Sequence, residues 1–218
     1  MSNEAIRIYW AGGLFDHKEL IGNLQLADAV RSCSEGRYIV SLPQNGDAET
    51  SRDALSIRNA DLQLLISCDA LVANFDGTEL DSGTVVEYCV AKSLDIPVVL
   101  MRTDFRNCGD TTEIPWNLMC AGWPRTSTLL VNGMAEYQRI LSEEGDIGEL
   151  TRRYHKGIAG KIIQALNDVL SQESWLTAEN ALEQYCRVVK SAGSGLDKLL
   201  TRERLSQIVL EKTAKGIF

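Results

Sequence analysis

The chain has 218 residues, 44% of them hydrophobic, which suffices for one good core and an appendage but is short for two independent enzymatic domains. A formal net charge of -8 and a pI near 4.9 remove the long-range attraction that binding to phosphate backbones or anionic lipid needs, so no polymeric nucleic acid and no membrane surface is expected as a partner. The sequence shows no basic, apolar leader and no run of roughly 20 apolar residues, so a soluble cytoplasmic protein is expected.

In chain order, "IRIYWAG" (6–12) reads as a short buried strand, rich in β-branched and aromatic residues and closed by Gly12 and Gly13. Residues 16–36 place Leu20, Leu24, Ala27 and Val30 at helical spacing, with Asp16 as N-cap and Gly36 as stop. "YIVSLP" (38–43) is a second strand ended by Pro43. A helix over 51–67 leads to a third strand, "DALVANFDG" (69–77), then a helix over 83–95, a fourth strand "IPVVLM" (96–101) and a fifth at 126–132. Strands alternating with helices across short loops imply an α/β fold: an open parallel sheet of about five strands with helices on both faces. Ligands of such sheets lie outside the carboxyl ends of the strands, here the loops "WAGG", "LPQN", "NFDG" and "MRTD".

From about residue 135 the pattern becomes helices alone, over 148–172, 177–191 and 195–215. The first is expected to pack on the sheet. The last two look like a helical extension whose apolar faces need a partner in this domain or another subunit. The chain is therefore divided into an α/β domain, 1–170, and a C-terminal extension, 171–218.

Six cysteines are scattered without a C-x-x-C pair, and His17 and His155 are the only histidines, so neither a metal site nor a histidine-based triad is suggested. "AGGLF" and "GIAGK" match neither dinucleotide nor P-loop patterns, and no cofactor is expected. Chemistry then rests on carboxylates, amides, hydroxyls and backbone groups. Residues 74–101 crowd Asp76, Glu79, Asp81 and Glu87 around a glycine turn. With Asp81 or Ser82 near an N-cap and Gly83 and Thr84 in the first turn, Glu87 falls about one turn in, where the positive end of the helix dipole keeps a carboxylate ionised. The plain alternative is that Asp81 merely caps and Glu87 is solvated. Val85, Val86, Cys89, Val90 and Ala91 make the helix read as largely buried and Glu87 as facing an enclosed space. Asp61, among Ala60, Leu62, Leu64 and Leu65, joins the set, whereas Asp69 reads as a turn residue opening the third strand. Tyr9 and Trp10 suit either a planar ligand or ordinary core packing.

Four pieces in order, "IYWAGGLF", "NADLQLLISCDALVANFDG", "DSGTVVEYCVAKSLDIPVV" and "IPWNLM", resemble the nucleoside 2-deoxyribosyltransferase family over roughly residues 5–165. The resemblance implies a flavodoxin-like sheet and transfer of the 2-deoxyribosyl group of a 2'-deoxyribonucleoside to a free nucleobase, with retention, through a glycosyl-enzyme ester, as in nucleoside salvage. By it, Glu87 is the nucleophile, Asp81 and Asp61 are the acids that hold and protonate the base, and Tyr9 positions the nucleophile. Gln44 is a base-side contact, and Gly12, Gly83 and Phe15 fall at substrate-binding positions. Asn117 reaches a neighbouring subunit's site at the sugar 5'-hydroxyl, so a homo-oligomer with shared sites is implied. The chemistry is consistent with two carboxyl groups of opposite protonation: Glu87 ionised, and Asp81 or Asp61 raised by like charge and enclosure. Purine-only and purine-plus-pyrimidine exchange both fit. Two rivals stand beside this reading. One is a deoxynucleoside 5'-monophosphate N-glycosidase, against which "AGGLFDHKEL" lacks serine- and arginine-bearing phosphate equipment; the other is a non-catalytic nucleoside-binding module.

Overall fold

A computed structural model describes residues 4–46, 53–111 and 113–218. Strands β1 (Ile6–Ala11), β2 (Tyr38–Ser41), β3 (Ala70–Asn74), β4 (Val98–Arg102) and β5 (Thr126–Leu130) form one parallel sheet in the order β2-β1-β3-β4-β5. The chain moves outward from β1 to β2, then crosses back to lay down β3, β4 and β5. The order therefore reverses between β1 and β3, the place where open sheets of this kind hold ligands.

The period-2 alternation of β1 sends its side chains into two cores. Ile8 and Trp10 join α1 (His17–Cys33) and α5 (Ile147–Leu170) on one face. Tyr9 and Ala11 join α2 (Ala54–Ser67) and α3 (Ser82–Ser93) on the other. Asp16 caps α1 as expected, accepting from Lys18 N and Glu19 N at 2.8 and 3.0 Å. Glu35 and Gly36 then turn left-handed, with φ of 53° and 80°, and Gly36 N donates to Arg31 O to close the helix. Asp53 caps α2; residues 51 and 52 of the helix expected there lie outside the described residues.

Three expectations are corrected. The helix read over 195–215 is two, α7 (Leu196–Leu199) and α8 (Arg202–Ala214), because the Thr201 side chain caps a new start at Arg204 N. A further helix, α4 (Gly133–Leu141), follows β5; it buries Ile140 alone, so its apolar signal is slight. Helix α3 is not largely buried: Thr84, Tyr88, Ala91 and Lys92 are, while Val86 and Cys89 are exposed.

The C-terminal helices find their partner in this chain. Ala181, Tyr185 and Val189 of α6 (Ala178–Ala192), with Leu196, Leu205, Ile208 and Val209, share one core with Leu62, Leu65, Ile66, Ala91 and Leu94. Polar ties fix the same helices to the amino-terminal edge of the sheet. Asp95 Oδ2 accepts from Arg125 Nη1 (2.9 Å), Ser174 Oγ (2.6 Å) and Trp175 N (3.0 Å), and Arg125 Nη2 donates to Ile217 O. Asp69 is more than a turn residue: it is 1% exposed and pairs with Lys215 of the C-terminal segment at 2.8 Å. Lys212 is buried beside it, donating to Cys68 O, and burial brings its pKa down to about 8. Among the described residues, no helix is long and apolar enough to cross a membrane.

Candidate active site

At the carboxyl edge, β1 and β3 approach so closely that a Cβ on Gly12 would lie 3.1 Å from Asn74 Cβ. The next loop is pinned by Asp76, which accepts from Thr103 N (2.5 Å), Thr103 Oγ1 (2.7 Å) and Asp104 N (2.8 Å), joining the ends of β3 and β4. Of the four crowded carboxylates Asp76 is thus structural, and Glu79 is exposed. Asp81 is the N-cap of α3: Oδ2 accepts from Thr84 N and Thr84 Oγ1 at 2.7 and 2.8 Å. A Cβ on Gly83 would stand 3.1 Å from that oxygen, so glycine in the first turn leaves the cap its room.

One turn further, Glu87 is half-buried, and Tyr9 OH, rising from β1 beneath it, donates to Glu87 Oε1 at 2.5 Å. Burial pushes the Glu87 carboxyl up to about 7; the Tyr9 hydrogen bond opposes this, and the like charges of Asp61 and Asp81 add to it. Burial thus works against the ionisation that the start of α3 favours. The same enclosure raises the Tyr9 hydroxyl far above its ordinary range, so Tyr9 stays a donor. Asp61 comes from α2, half-buried and without a hydrogen-bond partner among the described residues, and burial lifts its pKa. Tyr9, Asp61, Asp81 and Glu87 therefore form one group, tied by the Tyr9 bond and by the mutual charge effects on Glu87.

A cavity of about 700 Å³ opens beside this group, over the ends of β1, β3 and β4. Trp10, Phe15, Asn23, Asp81, Tyr154 and His155 are on its wall. Asp81 stands on its rim and in the carboxylate group alike, whereas Tyr9, Asp61 and Glu87 lie across β1, since Tyr9 and Trp10 point to opposite faces. The charged lining is mostly acidic, with Glu19, Asp76, Glu79 and Asp81 against Lys18. Glu19 folds back to accept from Phe15 N at 2.7 Å and so shapes the loop that presents Phe15, itself 77% exposed.

Gln44 sits in the 3-10 turn Pro43–Asn45 after β2, and its amide is engaged with α1: Nε2 donates to Leu20 O, and Oε1 accepts from Asn23 Nδ2. Asn117 is exposed and caps the 3-10 turn Leu118–Cys120, accepting from Met119 N. Asn23, Tyr154 and His155 escaped the sequence reading. Asn23 is buried because it accepts from Trp10 Nε1 and donates to Gly13 O, a task with no sequence signature. For α5 the available signal was an aromatic pair one turn before Ile158 on a helix otherwise read as packing. Among the described residues, no group of three or more His, Cys, Asp or Glu is disposed to hold a metal ion.

Residues 8–119, just over half of the 218, match the family model described as Nucleoside 2-deoxyribosyltransferase. Among solved structures, the chain is similar to a conserved protein from Enterococcus faecalis V583, with 24% identity and a TM-score of 0.53 over 74% of this chain and 99% of that one. It is also similar to a 2-desoxiribosyltransferase from Leishmania mexicana (21%, TM-score 0.46, 64% and 99%). A third likeness is to the 2-deoxyribosyltransferase of Bacillus psychrosaccharolyticus (19%, TM-score 0.45, 66% and 95%). No curated protein matches.

Proposed function

We propose that this chain, which belongs to the nucleoside 2-deoxyribosyltransferase family, moves the 2-deoxyribosyl group between nucleobases by two displacements at C1', with Glu87 as nucleophile and Asp61 as proton donor. In the first, the C1'–N bond breaks as a Glu87 oxygen bonds to C1', and Asp61 delivers its proton to the leaving base. In the second, a nitrogen of the incoming base attacks C1', the ester to Glu87 breaks, and the incoming base returns a proton to Asp61. Two inversions give net retention.

The observation that carries this reading is the 2.5 Å Tyr9–Glu87 hydrogen bond beside an acid that has no hydrogen-bond partner among the described residues. A nucleophile lifted to about 7 is a strong one when ionised, and Tyr9 holds the oxygen that must turn toward C1'. Asp81 has one oxygen committed to Thr84, which leaves Asp61 the freer of the two acids. The acidic lining of the adjoining cavity favours a neutral nucleoside over a 5'-monophosphate. Asn117, Leu118 and Met119 are exposed, available to a neighbouring subunit of a homo-oligomer that shares its sites. The setting is nucleoside salvage in the cytoplasm.

The test is base exchange. Incubated with deoxyinosine and free adenine, the protein should form deoxyadenosine of unchanged anomeric configuration, and Glu87→Ala should not. Release of guanine from deoxyguanosine monophosphate in preference to deoxyguanosine, without an acceptor, would replace this reading with a hydrolytic one.

A further inference from the structure

The helices beyond residue 170 touch α2 at the turn before the candidate acid. Asn59, 5% exposed, donates from Nδ2 to Ser194 O at 2.8 Å. Arg58 donates from Nη1 to Asn59 Oδ1 and from Nη2 to Ala192 O, both at 2.9 Å. Among the described residues, α2 is tied to other elements by these side-chain hydrogen bonds near its middle and by Arg7 Nη2 of β1, which donates to Ser67 O at its last residue. The receiving carbonyls lie at the last residue of α6 and in the turn that joins it to α7, where Gly193, Ser194 and Gly195 all take positive φ, at 65°, 53° and 78°. That run turns Ala192 O and Ser194 O toward α2, and Leu196 and Leu200 seal the contact, 0% and 1% exposed, in the core that holds Leu62 and Leu65. At about 100° per residue, Asp61 stands roughly 200° around the helix from Asn59. A grip on Asn59 therefore fixes the rotation of α2 and aims Asp61 away from the turn, toward Tyr9 and Glu87.

We propose that the turn between α6 and α7 is a positioning device for Asp61, acting through Arg58 and Asn59, so that the C-terminal extension sets how well the enzyme protonates its leaving base. This rests on the reading of Asp61 as proton donor. It assigns Arg58 and Asn59 a role through another residue rather than at the substrate.

The discriminating substrate is 7-methyl-2'-deoxyguanosine, whose base carries a fixed positive charge and departs without an added proton. Single-turnover base release should fall roughly tenfold with deoxyadenosine in Asn59→Leu and in Gly195→Ala, since a displacement of about 1 Å costs that much or more, yet stay near wild type with the methylated donor. Gly195→Ala strains only the turn, at a φ of 78° with open space around the added methyl, and serves if Asn59→Leu does not fold. Gln184→Ala is the control. It releases α6 from Ser93 O on α3 without touching α2, and should leave the ratio between the two donors unchanged. Asp61→Asn reports on the underlying reading: it must discriminate between the donors, and if it does not, Asp61 is not the acid. If Asp61→Asn discriminates while Asn59→Leu and Gly195→Ala slow both donors alike or neither, the turn is structural support only and the proposal is overturned.

Discussion

The two edges of the sheet treat the same side chain in opposite ways. At the amino-terminal edge, Asp95 and Asp69 are 0% and 1% exposed, and one oxygen of each is met by cations and hydrogen-bond donors: Arg125, Ser174 Oγ and Trp175 N for the first, Lys215 and Arg7 N for the second. At the carboxyl edge, Glu87 has Tyr9 and Asp61 has no hydrogen-bond partner among the described residues, although both are half-buried. A buried charge is tolerable when donors surround it, so the first edge is what folding alone requires. The second edge has less of that compensation, burial raises both pKa values, and this is the disposition that the proposed proton and group transfer calls for.

The contrast breaks most visibly at Glu87. Glu87→Ala should lower steady-state exchange by about 10⁴-fold or more, near 5–6 kcal/mol of barrier, without lowering the melting temperature. At the opposite edge, Asp95→Ala strands Arg125 in a buried position and should cost about 3–5 kcal/mol in denaturant unfolding, with kcat of the folded fraction held within about twofold. An Asp95→Ala protein of wild-type stability would erase the distinction between the edges.

A smaller effect sharpens it. The folded protein holds the Glu87 proton up to about pH 7, while an unfolded chain releases it near 4.5. The folded state therefore binds more protons over that window, and stability is lost as pH rises through about 7. Glu87→Gln removes this loss, so the variant should gain about 2–3 kcal/mol over wild type at pH 8 and nothing at pH 4, read from urea midpoints at each pH. Smallest is Tyr9→Phe: about tenfold in kcat, with the acidic limb of the rate profile moved to higher pH, because the hydrogen bond that lowers the Glu87 pKa is gone.

Much of this was legible in the sequence. Apolar periodicity placed all five strands and the helices between them, Asp16 declared its cap, the carboxylates crowded around the glycine turn drew attention to Asp81 and Glu87, and the apolar neighbours of Asp61 drew attention to it. What stayed hidden depended on partners far along the chain. Asp69 looks like a turn residue until Lys215 arrives from 146 residues away, and Asn59 looks like an ordinary helical residue until Ser194 meets it across 135. Thr201 interrupts an apolar period that continues on both sides, so the break between α7 and α8 left no trace in the pattern. The upward shift of Glu87 was hidden for the same kind of reason. The helix dipole can be read from one segment, but desolvation is set by β1 and α2 closing around it.

The covalent bond proposed between Glu87 and the sugar can be measured directly. A 2'-fluoro-2'-deoxynucleoside slows both displacements by destabilising positive charge at C1', so mass spectrometry of the protein after brief incubation should show one added fluoro-deoxyribosyl unit, on the peptide that contains Glu87. Release of the base with the protein mass unchanged, or an adduct on another residue, would contradict the account.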